Sequence, residues 1–525
     1  MSSITNAALP AFMATLKEQP VTLVWFRNDL RVHDNPALWH ASQQGHAVVG
    51  LFIDCEQQWQ SHGLGAARIG YLRKAVRALQ QQLANRQIPL LIVPADTFAD
   101  VPGVFESLFQ QLTMTELSFN LEYEVNERRR DIEVLQWARS KTLPVNRFHD
   151  QCVVPPGEVK TKSGTPFRVY SPFKRAWLSQ ATQVSLRPLP APPLADASLS
   201  VDAFLSVDVS LSVDLFASDA VEIDAVAIDE ASQPNETIQP NATHWQACEA
   251  TSHEQLRCFV EQRGRLYQQD RDLPAKEATS QLSVALAVGI LSPRQCLYTA
   301  FQANEGQLSG GDAGIDSWIN ELIWREFYRH IAIAFPDVCK HKAFKPDTEQ
   351  VPWRNPHQDA GARADFHAWS TGNTGYPIVD AAQRQLLETG WMHNRLRMVS
   401  AMFLTKHLLI DWRLGEAFFN RHLMDADFCS NNGGWQWSAS TGADGAPYFR
   451  IFNPTSQSQK FDPDGDFITR FVPELTPLSP KSRHFPNPME RAQVSYPDAI
   501  VEHTFARERA LNAFRQRPHQ TEDSL

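Results

Sequence analysis

The chain has 525 residues, too many for one ordinary hydrophobic core, so two domains are expected. Apolar residues make up 43% and charged residues 21%, as in soluble globular proteins, and no apolar run reaches the roughly 18 residues that a membrane span needs. Seven scattered cysteines without a C-x-x-C pair, and a start that lacks the blocks of a secretory signal, predict a cytoplasmic protein with neither a disulfide framework nor a zinc site.

The net charge of −10 is concentrated in one segment. Residues 188–250 hold eleven Asp and Glu and no Lys or Arg, and removing these eleven from the 59 acidic residues leaves 48 against 49 basic ones. The rest of the chain can therefore carry a local basic face, so a nucleic-acid partner is not excluded.

Residues 21–140 alternate between apolar runs of strand length and helical stretches. The runs are VTLVWF, AVVGLFI, IPLLIV and ELSFNLEY, and the clearest helix is AARIGYLRKAVRALQQQLANR. Strand and helix in alternation predict a parallel sheet covered on both faces. No G-x-G-x-x-G follows a strand, so an ordinary dinucleotide site is not expected.

The segment 186–250 is Pro-rich and acidic, and its stretch LSVDAFLSVDVSLSVDLF repeats LSVD three times at a period of six. Three hexapeptides are too few for a stable solenoid. We interpret the segment as a disordered or loosely ordered linker insertion, with a docking motif for a partner as the alternative.

From about residue 251 to 490 the pattern is helical. In the helix around Asp316, four aromatic or charged side chains share one face at three- and four-residue spacing: Trp318, Glu321, Trp324 and Arg325. One interpretation is a packed Trp pair with a Glu321–Arg325 salt bridge. The other is a carboxylate held beside a flat aromatic ligand that it can hydrogen-bond or protonate.

The next helix carries WMHNRLRM, in which Asn394, Arg397 and Met398 share a face. Asp425 or Asp427 is a plausible partner for Arg397, in a structural ion pair. Acids two residues apart also occur in metal sites, but no further ligand stands at the required spacing, so no metal is predicted.

The stretch NNGGWQWSAS, residues 431–440, combines two amides, two glycines and two tryptophans. Glycine is poor in helices and strands, so one interpretation is a loop anchored on the core by its indoles. The alternative is a segment that lies close against a bound cofactor.

Five long motifs occur in order: WFRNDLRVHDNPAL, ELIWREFYRH, TGYPIVDAAQRQL, GWMHNRLRM and NNGGWQWSASTGADGAPYFRIFNP. Together they resemble the photolyase/cryptochrome family of flavoproteins, above all its bacterial class I cyclobutane pyrimidine dimer photolyases. The resemblance covers about 20–180 and 250–510. It implies an N-terminal extension (1–19), an α/β antenna domain (20–155), a connector (156–250) with the acidic insertion at about 188–250, an all-α FAD-binding and DNA-binding domain (251–490) and a tail (491–525).

The resemblance also implies site residues. Positions that match the family's FAD pocket are Tyr267, Thr279, Ser280, Gln281, Leu282, Ser283, Trp318, Arg325, Asn394, Arg397, Asp425, Ala426, Asp427 and Asn431. In the family, the asparagine at position 431 faces the redox-active ring nitrogen of the flavin. Trp435, Trp412 and Trp353 match an electron-transfer chain that leads to the surface, and Glu321 matches the acid that hydrogen-bonds the damaged bases.

The implied partner is UV-damaged DNA, bound by a monomer, with reduced anionic FAD as the electron donor. Positions that match contacts with the flipped-out lesion or the DNA backbone are Arg271, Glu321, Trp324, Arg325, Asn394, Arg395, Met398, Trp437, Arg450 and Gln457. The main alternative is a cryptochrome, a blue-light receptor without repair activity. Asn431 favours repair, because plant and animal cryptochromes mostly carry Asp or Cys there.

Family members differ in their second chromophore. His62, Asn126 and Glu127 match one side of the cleft that holds a folate in some members, and Cys339 and Lys340 match the other side. We therefore expect 5,10-methenyltetrahydrofolate as the antenna. The plainer interpretation of YEVNERRRD is a helix start with Asn126 as its N-cap, and the two interpretations are compatible.

Overall fold

A computed structural model describes residues 18–194, 244–443 and 450–515, so the LSVD repeat and most of the acidic insertion lie outside the described residues. The described chain begins with a five-stranded sheet in which every pairing is parallel, in the order β3-β2-β1-β4-β5. Its strands are β1 (Val21–Phe26), β2 (Ala47–Asp54), β3 (Leu90–Pro94), β4 (Met114–Asn120) and β5 (Val145–Phe148). The α/β fold predicted for this part of the sequence is confirmed, with β5 as a strand that the apolar runs did not indicate.

Helices cover both faces of this sheet: α1 (Pro36–Ser42), α2 (Glu56–Ser61), α3 (Ala66–Ala84), α4 (Val101–Gln111) and α5 (Val125–Ser140). Side chains of β1 alternate between two hydrophobic clusters. Val24 and Phe26 pack with α3, whereas Leu23 and Trp25 pack with α4 and α5. Because both faces are buried, the strands read as continuous apolar runs rather than as alternating ones.

The crevice where the strand order reverses, between β1 and β4, is filled by charged side chains. Arg130 pairs with Glu122 at 2.7 Å, Asn28 donates to Glu122 at 2.7 Å, and the Arg27 guanidinium donates to the Asn120 carbonyl and lies 4.1 Å from the Trp25 ring. Open α/β sheets bind nucleotides in this crevice. Here the lining residues leave no cavity that could hold a ligand.

The rest of the described chain is helical. After α6 (Tyr170–Ala181), the helices are α7 (Glu249–Gln262), α8 (Tyr267–Asp270), α9 (Ser283–Ala287), α10 (Pro293–Ala303), α11 (Ala313–Ala334), α12 (Ala360–Thr371), α13 (Pro377–Thr389), α14 (Asn394–Met402), α15 (Trp412–His422), α16 (Phe428–Ala439), α17 (Pro454–Phe461), α18 (Asp466–Phe471), α19 (Pro480–Arg483), α20 (Pro488–Val494) and α21 (His503–Arg515). The predicted all-α part is thus confirmed, and its helices extend to residue 515. None of the described helices is long and apolar enough to cross a membrane.

The segment after β1 docks the sheet domain onto the helical part. Arg31 forms a buried ion pair with Asp150 and donates to the Gly289 carbonyl at 3.0 Å, while Glu249 accepts from the backbone N–H groups of Val32 and His33. Gly289 has a φ of +71°, and a side chain there would meet the backbone of this same segment at 2.1 Å. The motif after the first strand therefore joins the two domains.

A second set of contacts holds α11 against the connector. Glu326 on α11 is buried and accepts from the backbone N–H of Val153 at 2.5 Å, from that of Val154 at 3.3 Å and from the Trp177 indole of α6 at 2.6 Å. His330, one turn further, bonds to the Val154 carbonyl at 3.1 Å. The side of α11 that bears these residues is thereby fixed toward the antenna domain.

Candidate functional site

Helices α11, α14 and α16 converge on one region, and eleven of the thirty predicted site residues lie on them. Two contacts define the convergence. Gly433 of α16 lies against the ring of Tyr328 on α11, so closely that an added Cβ would approach it to 2.1 Å. Arg397 of α14 donates to Asp425, just before α16, at 2.8 Å. The predicted Arg397–Asp425 pair is therefore present.

The stretch NNGGWQWSAS is a helix, and its interpretation as a loop is wrong. Asp427 caps α16 by accepting from the Ser430 N–H at 2.9 Å, and Ser440, with a φ of +65°, ends it. The two glycines serve different purposes. Gly433 admits the Tyr328 ring, whereas nothing lies within 4 Å of a Cβ placed on Gly434, so that position faces open space.

Asn431 projects from the first half of α16. Its Nδ2 donates to the backbone carbonyl of Glu416 on α15 at 3.0 Å. The neighbouring Asn432 donates to the Glu416 carboxylate at 2.8 Å, and His341 bonds to the other carboxylate oxygen at 2.9 Å. With its nitrogen engaged, the Asn431 amide retains its oxygen as a hydrogen-bond acceptor.

Two carboxylates border this region. Asp425 is buried, and its Oδ1 atom has no hydrogen-bond partner among the described residues, a costly arrangement unless a ligand supplies a donor. Asp427 pairs with Arg329 of α11. Burial pushes the pKa of Asp427 upward, but Arg329 and Arg325 more than offset this effect and hold it well below its ordinary value.

Arg325 does not pair with Glu321, so the predicted i, i+4 salt bridge is absent among the described contacts. Arg325 turns toward the antenna domain and donates to the Gln151 carbonyl at 2.7 Å. Burial, together with the nearby Arg329, lowers its pKa. Glu321 instead accepts from Arg271 at 2.5 Å.

The aromatic side chains of α11 point to different neighbours. Trp318 is buried and packs on Phe259, with ring centroids 5.0 Å apart. Trp324 stacks on Tyr170 of α6, with centroids 3.5 Å apart and planes within 8°. The Tyr170 hydroxyl donates to the Asn320 carbonyl at 3.0 Å. Tyr170 thus holds one face of Trp324, a contact that the sequence did not reveal.

The three tryptophans predicted to form a chain lie on adjoining segments. Trp435 packs onto α15 at Gly415, which lies one turn from Trp412, and both indoles are buried. The residue after Trp353 pairs with Ile410, just before Trp412, and Trp353 itself is partly exposed and contacts Phe514 of α21. Burial therefore decreases from Trp435 and Trp412 toward Trp353.

The predicted phosphate cradle begins at Tyr267, which is buried against Phe259, the same ring that contacts Trp318. The TSQLS run follows as a turn into α9. Gln281 has a φ of +53°, and the Ser280 carbonyl accepts from Gln255 at 2.8 Å. The structure thus places this run and the first turns of α11 beside a common aromatic cluster.

The residues predicted to hold DNA form a mixed cationic and aromatic surface. Arg395 makes two hydrogen bonds to Asp272 and lies 4.5 Å from the Phe461 ring, and Arg450 lies 5.7 Å from the Trp437 ring. Asn394 is exposed and Met398 partly buried at the start of α14, and Gln457 lies on α17.

The predicted antenna residues also come together. The His62 ring forms a hydrogen bond with the Asn126 side chain at 3.0 Å and lies 3.7 Å from the Glu127 carboxylate. The Val125 N–H bonds to the Cys339 sulfur. Burial and the nearby Arg130 lower the pKa of His62 to about 4, so its imidazole is neutral at pH 7.

The N-cap prediction for Asn126 is wrong. Glu124 is the N-cap of α5, which frees the Asn126 side chain to reach His62. Burial, with Glu124 and Glu122 nearby, raises the pKa of Glu127. Lys340, on the 3-10 turn that also carries Cys339, is exposed and pairs with Asp337 at 2.8 Å.

One buried group, Cys152, Glu326 and His330, is close enough to hold a metal ion. Its chemistry argues for a hydrogen-bonded joint instead. Glu326 already accepts three N–H groups, and burial raises its pKa to about 7, raises that of the Cys152 thiol and lowers that of His330 to about 4. Metal ligation would require the thiolate, which this burial disfavours.

Several site residues escaped the sequence analysis. Glu416, Arg329, Tyr170 and Gln151 contact predicted residues but lie 15 to 174 positions away from them, so no spacing rule links them. The one available signal was Arg329, four residues beyond Arg325 on the same helix.

The geometry defines a two-domain protein with a polar and aromatic ligand site in its helical half. Residues 22–193 match the family model for DNA photolyase, and residues 318–516 match that for the FAD binding domain of DNA photolyase. The deoxyribodipyrimidine photo-lyase of Escherichia coli is 42% identical over an alignment of 500 residues. The alignment covers 94% of this chain and 98% of that protein. The chain therefore belongs to the DNA photolyase family, and its cofactor is FAD.

Two solved structures share the fold. A class III photolyase from Agrobacterium tumefaciens is 32% identical with a TM-score of 0.78, covering 94% of this chain and 97% of its own. The Synechocystis cryptochrome is 25% identical with a TM-score of 0.77, covering 94% and 99%. The fold class and the family predicted from the sequence are thus confirmed.

The two glycines of α16 provide a matched pair of variants. Gly433→Ala should displace Tyr328 and lower the melting temperature of the FAD-free protein, at a cost of about 1–3 kcal/mol. Gly434→Ala should leave that melting temperature unchanged or raise it, because alanine favours helix, yet it should weaken FAD binding if the open space receives the flavin. Thermal unfolding and FAD titration of the two apoproteins measure both effects. Equal FAD affinity of wild type and Gly434→Ala would contradict a flavin at that position.

Proposed function

We propose that this protein repairs cyclobutane pyrimidine dimers in DNA by light-driven electron transfer from reduced FAD. The observation that carries the proposal is the meeting of α11 and α16 at Gly433 and Tyr328, because Glu321 and Trp324 lie on the helix that packs against the helix of Asn431. The relatives named deoxyribodipyrimidine photo-lyase support it.

The residues of the helical domain fit a flavin. The buried Oδ1 of Asp425 needs a donor, and the Asn431 amide oxygen can accept from a protonated ring nitrogen. We assign the cofactor contacts to Tyr267, Thr279, Ser280, Gln281, Leu282, Ser283, Trp318, Arg325, Asn394, Arg397, Asp425, Ala426, Asp427 and Asn431. Reduced FAD held by these residues would supply light-driven one-electron chemistry to the dimer without net redox change. The protein binds, orients and stabilises charge.

The damaged bases would enter between Trp324 and Trp437. Tyr170 already covers one face of Trp324, so the indole is held rigidly for stacking on its other face, an interaction worth about 1–3 kcal/mol per base. Glu321 would hydrogen-bond the bases, with Asn394 and Met398 close by. Arg271, Arg395, Arg450 and Gln457 would hold the DNA backbone, for which guanidinium groups are well suited.

The assembly and location complete the proposal. The protein acts as a monomer on UV-damaged DNA in the cytoplasm. A cryptochrome-type receptor is the weaker alternative. The Synechocystis cryptochrome shares the fold, but Asn431 and the carboxylate of Glu321 beside Trp324 suit a repair site.

Repair is tested by illumination. Reduced protein should restore thymine dimers in DNA under near-ultraviolet or blue light and only bind them in darkness. Glu321→Ala should lose most of the repair yield while it keeps FAD, since the carboxyl group meets the lesion and not the flavin. Recovery of intact thymines by gel or chromatography gives the yield. Repair that runs equally fast in darkness would contradict the proposal.

The tryptophans allow a separate test. The buried Trp435 Nε1 has no acceptor among the described residues, so an oxidised Trp435 cannot readily lose its proton and the positive charge can move outward. Trp353→Phe should block photoreduction of oxidised FAD at the partly exposed end of the chain. It should leave repair by chemically reduced protein nearly intact. Transient absorption measures photoreduction, and the repair assay measures repair separately. Normal photoreduction in the variant would mean that the electron-transfer chain reaches the surface through another residue.

The antenna is proposed to be 5,10-methenyltetrahydrofolate, bound by His62, Asn126, Glu127, Cys339 and Lys340. Two observations support this choice. First, the crevice between β1 and β4 is filled by ion pairs. Second, the cleft between the two domains offers amide, carboxyl and ammonium groups that suit a pterin and its glutamate tail.

Reconstitution tests the antenna. Added folate should produce a near-ultraviolet band and energy transfer to FAD, and Glu127→Ala should weaken folate binding without changing the FAD content. Absorption and fluorescence excitation spectra measure both. Uptake of a deazaflavin or a second flavin in place of the folate would contradict the assignment.

A further inference from the structure

Arg271 and Glu321 are both assigned to DNA, yet in the protein alone they are bonded to each other. The Arg271 Nη1 atom lies 2.5 Å from a Glu321 carboxylate oxygen and 3.1 Å from the Ser317 hydroxyl, one turn earlier on α11. One nitrogen of Arg271 thus binds both groups. A DNA phosphate would therefore compete with Glu321 for the Arg271 guanidinium.

The surroundings of Glu321 contain few other charges. Arg271 comes from the chain segment after α8 and Tyr170 from α6, and the carboxylate of Asp272 and the hydroxyl of Tyr267 complete the titratable groups that face it. Arg271 is therefore the one cation acting on Glu321 among the described residues. Asp272, which is itself paired with Arg395, opposes ionisation of Glu321.

Burial raises the pKa of Glu321, and the pairing with Arg271 opposes that rise. Removal of the guanidinium would take away the opposing effect, and DNA phosphates would add negative charge nearby. Both changes favour the neutral carboxyl group, because a partly buried carboxylate that has lost its counter-charge is costly.

We propose that damaged DNA opens the Arg271–Glu321 pair: Arg271 moves to a DNA phosphate, and Glu321 takes up one proton from solvent. This inference rests on the proposed repair function and deepens it. A neutral Glu321 carboxyl can donate a hydrogen bond to a base carbonyl, which a carboxylate cannot do. The hydroxyl of the acid then points at the oxygen on which negative charge develops when the dimer receives its electron.

Proton uptake is measured by titration calorimetry in the dark, with the FAD-loaded protein and a duplex that carries one thymine dimer. Titrations at pH 7.5 are run in phosphate and in Tris, whose ionisation heats differ, and the difference in binding heat gives the number of protons taken up. Wild type should take up a fraction that approaches one proton per complex. Its affinity should accordingly fall with rising pH, by at most about tenfold per pH unit.

Glu321→Gln and Arg271→Gln should each remove this uptake, the first because no carboxyl group is present and the second because Glu321 is already neutral before DNA arrives. Glu254→Gln, in the exposed Arg257–Glu254 pair of α7, is the matched control and should behave as wild type. If the first two variants bind too weakly for calorimetry, the infrared C=O band of a protonated carboxyl group should appear when wild type binds the dimer.

Two results would overturn the inference. Uptake that is equal in wild type and Glu321→Gln would assign the proton to another group. Tight dimer binding and normal light-driven repair without any uptake would mean that Arg271 contacts the phosphate while it stays on Glu321. In both cases the repair function stands, whereas absence of dimer-specific binding or repair would contradict the proposed function itself.

Discussion

The buried polar joint between the two domains is the contact on which the rest of the site depends. Arg31 of the segment after β1 donates to the Gly289 carbonyl of the helical part, and Glu326 fastens α11 to the backbone at residues 153 and 154. Such groups add little net stability when all are paired, but leaving one unpaired costs about 3–5 kcal/mol. The joint therefore fixes the rotation of α11 about its axis, and with it the directions of the side chains on the opposite side of that helix.

Buried guanidinium groups lie on the side of α11 that faces the antenna domain. Arg325 and Arg329 lie one turn apart, and burial together with Arg329 lowers the pKa of Arg325. Asp427 lies close to both, and the two guanidinium groups hold its pKa well below the ordinary value. Charged groups in such a poorly solvated place are stable only when counter-charges are fixed beside them.

The sequence predicted the features that local pattern controls. Helix α11 and the shared face of Glu321 and Trp324 follow from three- and four-residue spacing, and the buried strands follow from apolar runs. The helical state of NNGGWQWSAS could not be predicted in this way. Its glycines disfavour a helix locally, and tertiary contacts, above all Tyr328 against Gly433, decide the outcome.

Contacts between residues distant in sequence could not be predicted either. Arg271 lies 50 positions from Glu321, so no spacing rule links the two, and the pattern indicated only Arg325 as the partner of Glu321. The helical spacing favoured Arg325, but the Arg325 side chain instead donates a hydrogen bond to the Gln151 carbonyl of the antenna domain. Strand β5 was missed because VNRF contains only two apolar residues and is partly exposed at the sheet edge.

The polar joint also bears on how freely the two domains can be exchanged among relatives. Each domain buries donors or acceptors that only the other satisfies, such as the Gly289 carbonyl that receives Arg31 and the Gln151 carbonyl that receives Arg325. An antenna domain grafted from another member must therefore carry a compatible segment after its first strand, whatever its own chromophore. Recombination that cuts through this joint would leave unpaired buried charges on both halves, so light harvesting and repair are expected to be inherited together rather than shuffled as separate modules.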